Sequence, residues 1–175
     1  MTTDVHIRDG TARDLPLLEA MLFEAFFWRP EAERPALEAF RHDAEFVKWT
    51  EALLQRKGDR AVVAETRRDG RAIAVGAAFH RLFTDDRHSY GYVDAATPEL
   101  AIGVAAEARG QGAGAALVAA LIERARADGH AAISLSVETD NAARRIYERA
   151  GFERVATVGS AWTMTRSLRA EGADQ

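Results

Sequence analysis

Residues 109–114 read Arg-Gly-Gln-Gly-Ala-Gly and stand between an apolar, strand-like run at 99–104 and a helix-like stretch at 115–128. Three glycines in a strand-to-helix junction constrain this chain more than any other segment. Without Cβ atoms the backbone can turn sharply, take positive φ and aim several N–H groups at one point. That point lies at a helix N-terminus, where unpaired N–H groups and the helix dipole favour an anion. Arg109 adds a fixed charge able to make paired bonds to phosphate oxygens. The segment reads as a pyrophosphate cradle; the plainer alternative is a glycine-rich connecting turn that holds nothing.

Spacing excludes two other phosphate cradles. A P-loop ends in Gly-Lys-Ser/Thr, and no lysine is near. A dinucleotide fingerprint needs G-x-G-x-x-G at the first turn of a repeating βαβ array, whereas Gly110, Gly112 and Gly114 fall on every second residue.

A chain of 175 residues suits one domain with a sizeable core. We expect that domain over 1–168, with the polar 169–175 as a disordered tail. A net charge of −4 argues against a general grip on nucleic acid. No apolar run reaches the roughly 20 residues needed to cross a bilayer, and the polar N-terminus lacks a signal-peptide pattern, so a cytoplasmic location is expected. Cysteine is absent, which removes a thiolate nucleophile and cysteine-based metal sites. There is no G-x-S-x-G elbow and no HExxH; the five histidines, at 6, 42, 80, 88 and 130, read as surface or packing residues. No metal is expected, nor a covalent enzyme intermediate.

Periodicity gives the element order. A short strand at 5–8 precedes Thr11, an N-cap with Asp14 in capping-box position. A helix follows to Phe26, and Pro30 and Pro35 bracket a break. A second amphipathic helix is predicted over 36–55, ending at Lys57-Gly58. Strands at 61–65 and 72–83 flank the Asp69-Gly70 hairpin turn, and 84–98 is irregular. After the strand at 99–104 and the helix at 115–128, Gly129 is a C-cap. A strand at 133–137, a short helix capped by Asp140 or Asn141 and ending at Gly151, and strands near 152–157 and 161–168 complete an α+β sandwich around a mixed sheet.

Two motifs in this order resemble the GNAT superfamily of N-acetyltransferases. One is Val104-x-x-x-x-Arg109-Gly110-x-Gly112-x-Gly114. The other runs Asn141-Ala142-Ala143 through Tyr147 to Gly151-Phe152, with its alanine one place early counted from Asn141. The likeness is strong over 99–155 and rests elsewhere on element order. Ala106 departs from the family's frequent proline. The resemblance implies a mostly antiparallel sheet of about six or seven strands, splayed between the strands at 99–104 and 131–137 and flanked by about four helices.

It also implies acetyl-CoA as cosubstrate and transfer of the acetyl group to a primary amine by direct attack in a ternary complex. Arg109, Gly110, Gln111, Gly112, Ala113, Gly114 and Ala115 would hold the pyrophosphate. Backbone groups near Ile102 and Val104 would pair with the pantetheine arm. Tyr147 takes the place of the family's acid near the sulfur, although it equally suits packing under the sheet. Asn141 would bond the pantetheine arm or serve as a helix cap. Glu99 is the candidate base, its plainer alternative being a solvated carboxylate after Pro98; Asp94 is a second choice. Arg144 and Arg145 are either phosphate contacts or solvated helix charges. The acceptor, a small molecule or peptide amine, is expected near Phe27, Trp28, Arg29, Tyr90 and Tyr92. Other readings are a non-catalytic acyl-CoA-binding module, or an acyltransferase using another chain or an oxygen acceptor. No nucleic-acid or membrane partner is expected, and a homodimer is left open.

Overall fold

The computed structural model describes residues 4–31 and 33–169. The segment expected to be a tail lies outside them, apart from Arg169. Seven strands run β1 (Val5–Asp9), β2 (Arg60–Arg68), β3 (Arg71–Arg81), β4 (Glu99–Val104), β5 (Ala132–Glu138), β6 (Glu153–Val158) and β7 (Ala161–Ser167). The helices are α1 (Leu15–Phe26), α2 (Leu37–Phe40), α3 (Ala44–Thr50), α4 (Ala113–Ala127) and α5 (Arg144–Arg149). The strands form one sheet in the order β1-β2-β3-β4-β5-β7-β6. Every neighbouring pair is antiparallel except β4–β5.

Alternation along β2 shows how the sheet is covered. Ala61 and Val63 pack beneath α1 and α3 with Leu18, Leu22, Phe46, Trp49 and Phe79. Val62 and Ala64 face the other way, against Leu117, Val118, Leu121 and Ile122 of α4. Both faces of the central strands are therefore buried, as the period of two requires. The β2–β3 turn carries positive φ at both Asp69 (51°) and Gly70 (77°), the backbone that a two-residue hairpin demands. At the entrance to α1, the Asp14 carboxylate accepts the Thr11 N–H at 2.8 Å and both end nitrogens of Arg8 at 2.9 and 2.8 Å.

One element differs from its sequence reading. The long helix predicted over 36–55 is two short ones, which is why five helices are seen rather than about four. Asp43 interrupts it: its carboxylate accepts the N–H groups of Glu45 and Phe46, opening a fresh helix at Ala44. Beyond Thr50 the chain unwinds, with Ala52 and Leu54 at φ of 51° and 65°. The apolar spacing across 36–55 is real, but it is produced by a helix and a turn burying Phe46, Trp49 and Leu53 in one cluster.

β4 and β5 meet at a single register pair, Glu99 with Ser134, supported by the Ser134 N–H donating to the Pro98 carbonyl at 2.9 Å. Past this point they diverge, as expected for a splayed sheet. The edge of β4 that faces β5 is left without a strand partner, while its other edge pairs with β3 along its whole length.

Candidate active site

A cleft of about 670 Å³ opens where β4 and β5 part. Its walls include the end of α1 and the residues just after it (Glu24, Phe26, Trp28), β4 from Glu99 to Val104, the far part of β5, and the stretch from Asn141 to Tyr147 that leads into α5. Arg109, Gly110 and Gly114 stand at its rim. Separate stretches that carry the two sequence motifs thus border one cavity.

The cradle has the backbone the glycines suggested. Gly110 and Gly112 sit at φ of 75° and 91°, and Gly112 caps α4. A Cβ built on either would touch nothing within 4 Å, so these glycines relieve backbone strain beside open space rather than a protein contact. Ala113 is buried against the core and Ala115 is exposed. Of these two and Gly114 it is the first-turn N–H groups, without partners four residues back, that can meet an anion. Gln111 donates from its side-chain nitrogen to the Glu107 carbonyl at 2.8 Å. Gln111, Gly112, Ala113 and Ala115 lie outside the cleft lining. Arg109 is engaged: it donates to the Val104 carbonyl at 3.1 Å and to Glu24 at 2.9 Å.

Tyr147 is 6% exposed and lines the cleft. Burial raises its phenol above the ordinary tyrosine range, so it is a protonated donor at every physiological pH. Its ring meets Phe152 edge-on, with centroids 6.0 Å apart. Packing and a place on the cleft therefore coexist, the body of the ring in the core and the residue on the cavity. Asn141 likewise lines the cleft while its side-chain oxygen accepts the Ala143 N–H at 2.9 Å.

Glu99 overturns the solvated alternative. It is 2% exposed, lines the cleft, and burial pushes its carboxyl up to about 8. Oε1 accepts the Gly91 N–H at 2.8 Å, and this bond together with the nearby Ser89 hydroxyl only partly opposes the shift. Oε2 completes no hydrogen bond among the described residues. Gly91 is the functional residue that sequence reasoning passed over. A Cβ there would lie 2.5 Å from the Leu135 carbonyl carbon and 2.8 Å from Glu99 Oε1. Only glycine lets the 84–98 loop press across the β4–β5 gap and reach the carboxyl. The Tyr90-Gly91-Tyr92 string hinted at a close backbone approach but not at its partner.

The remaining candidates divide. Trp28 and Tyr90 line the cleft, joined by Trp49 and Ser89, whereas Phe27 and Tyr92 do not. Tyr92 instead stacks on His88. Arg29 pairs with Glu138 and Asp140, tying the loop after α1 to the end of β5 across the cleft mouth. Asp94 accepts the N–H groups of Ala96 and Thr97 and serves a turn. Arg144 lies over the Trp162 ring at 4.8 Å; neither it nor Arg145 reaches the cleft.

Residues 20–152 match the acetyltransferase (GNAT) family. The chain belongs to that family. Among solved structures, YncA of Salmonella typhimurium, seen with its cofactor acetyl-CoA, superposes with a TM-score of 0.66 at 20% identity over 98% of both chains. A ribosomal-protein-alanine N-acetyltransferase of Brucella melitensis gives 0.64 at 28% identity, covering 93% of this chain and 99% of that one. The PaiA N-acetyltransferase of Thermoplasma acidophilum, in complex with coenzyme A, gives 0.64 at 18% identity over 94% and 99%. No curated protein matches in sequence. The GNAT fold accounts for the mixed sheet and its β4–β5 splay, and the GNAT reaction needs no metal.

Proposed function

We propose that this GNAT protein is an acetyl-CoA-dependent N-acetyltransferase acting on a primary amine by direct attack in a ternary complex. The observation that carries the reading is that one cleft holds a protonated phenol, a buried carboxyl with one oxygen unpartnered among the described residues, and a strand edge that no described strand pairs. The residues suit CoA: an open, positive-φ glycine turn at a helix N-terminus fits a diphosphate, and the free edge of β4 around Ile102 and Val104 fits an amide-bearing arm. Bound acetyl-CoA supplies an activated thioester.

The protein's own groups do the rest. Backbone N–H groups of β4 orient the acyl carbonyl and favour negative charge on its oxygen. Glu99 Oε2 receives the proton that the amine sheds as the N–C bond forms. Tyr147 Oη would give its proton to the sulfur as the C–S bond breaks and regain one from solvent while Glu99 releases one, so the balance closes on an amide and a free thiol. Phe26, Trp28 and Tyr90 shield the cavity. The Brucella relative, named for action on a protein alanine, supports a primary-amine acceptor. The domain over 1–168 and a cytoplasmic setting belong to the same reading; among the described residues no helix is long and apolar enough to cross a membrane.

The test is thiol release from acetyl-CoA over a panel of amines, alongside CoA affinity of Gly112→Val. Because a side chain at 112 meets no protein atom within 4 Å at its Cβ, the variant costs roughly 1 kcal/mol of backbone strain. We expect CoA affinity to fall at least about tenfold, since the branched side chain occupies the phosphate position. Tight CoA binding without turnover on any amine would instead favour the acyl-CoA-binding module.

A further inference from the structure

We propose that His80, Asp128 and His130 form a binding site for a borderline-soft divalent cation of the Zn²⁺ class, separate from the transferase cleft. None of the three lines that cleft. His80 sits on β3 opposite Arg60 of β2 and Leu100 of β4, toward the end of β4 remote from the cradle. Asp128 closes α4, and Gly129 at φ 84° reverses the chain so that His130 follows beside it.

Three observations carry the site. One donor atom from each residue lies within 4.8 Å of the other two. The two imidazoles stand almost perpendicular, edge toward face, with centroids 5.5 Å apart, close enough for one ion to reach a nitrogen of each. Above all, His80 is completely buried and neither of its ring nitrogens completes a hydrogen bond among the described residues. Buried imidazole nitrogens are costly to leave unpaired, and a metal ion is a partner that satisfies one of them.

Tetrahedral coordination at about 2.0–2.1 Å needs donor atoms roughly 3.4 Å apart, a modest contraction that the more exposed Asp128 and His130 can supply. Arg60 already grips Asp128 through both carboxylate oxygens. A carboxylate offers about four lone-pair positions, so Arg60 leaves sites free and holds the ligand in place, as outer partners of metal ligands do. Hard cations depend on oxygen ligands, and only one of the three donors here is an oxygen. Two imidazole nitrogens favour Zn²⁺, Ni²⁺ or Cu²⁺. Such an ion would clip the turn after α4 to β3.

The experiment uses the full chain without an affinity tag, stripped with chelator and titrated with ZnCl₂ by calorimetry and thermal shift. The expected result is one saturable equivalent per chain and a Tm rise of about 5 °C at a hundredfold excess over Kd. MgCl₂ should produce neither, and Co²⁺ should give the visible absorption of a tetrahedral N/O site. His80→Ala endangers the core, so the deciding variants are His130→Ala and Asp128→Asn. The former should weaken binding by roughly a hundredfold or more, and His88→Ala should leave it unchanged. No saturable Zn²⁺ binding, wild-type affinity in His130→Ala, or an equal response to Mg²⁺ would overturn the site.

Discussion

Arg81 and Glu99 face each other in the β3–β4 ladder, and both are almost wholly buried, yet the protein treats them in opposite ways. Arg81 is saturated. It makes two bonds to Asp59, at 3.0 and 2.7 Å, and donates to the carbonyls of Lys48, Trp49 and Glu51 at 3.1, 2.8 and 3.0 Å. It thereby ties down the unwound segment after α3. Glu99 accepts one N–H and has an oxygen to spare in the cleft. A buried charge with every partner in place is architecture. A buried carboxyl with one oxygen left over, its pKa moved toward neutrality, is what the proposed base requires.

The comparison can be broken most forcefully at Arg81. Arg81→Met strands the Asp59 carboxylate, and we expect a loss of about 3–5 kcal/mol in urea unfolding. A loss below about 1 kcal/mol would remove the architectural half of the contrast. On the other side, Glu99→Gln should leave CoA affinity within about twofold and cut turnover by roughly 10²–10⁴. Wild-type kcat/KM should rise with pH through about 8, because the carboxyl must be ionised to accept a proton; the variant should lack that limb. Full turnover with an unaltered pH profile would move Glu99 into Arg81's category.

Stability sharpens the same point with the sign reversed. The Glu99 carboxyl titrates near 4.5 when unfolded and about 8 when folded. Between these values the unfolded chain has released a proton that the folded chain retains, so stability declines as pH rises through this window. Glu99→Gln should therefore be more stable than wild type by about 2–4 kcal/mol at pH 8, with the gap closing near pH 4. A gap that stays constant with pH would deny the shift. The smallest effect is expected at Tyr147. Among the described residues the phenol has no hydrogen bond to lose, so Tyr147→Phe should hardly move Tm while lowering kcat by about ten- to a hundredfold at nearly constant CoA affinity. Steady-state kinetics beside a melting curve separate this from a packing role.

The sequence was most legible where structure is local. The glycine junction at 109–114, the Asp69-Gly70 hairpin turn and the Gly129 cap each announce a backbone conformation that few other residues adopt. The long helix at 36–55 misled because apolar spacing reports which residues are buried, not whether the backbone between them stays helical. Asp43 ends one helix and starts the next with its own side chain. Arg81 and His80 were legible only as members of the strand at 72–83: His80 reads as a surface or packing residue, and nothing beside Arg81 in the sequence names its partner.

By itself, then, the chain order settled which segments become strands, which turn holds the glycines, and which helix carries the tyrosine, because those outcomes depend on neighbours within a few residues. The tertiary structure decided the chemistry of the cleft. Burial raises the Glu99 carboxyl because the loop carrying Gly91, eight positions earlier, closes over it while β5 bends away past Ser134. Arg81 is silent because Asp59, 22 residues away, completes it. Desolvation and partner count are set by what folds on top of a side chain, and that information is distributed over the whole chain rather than written beside the residue.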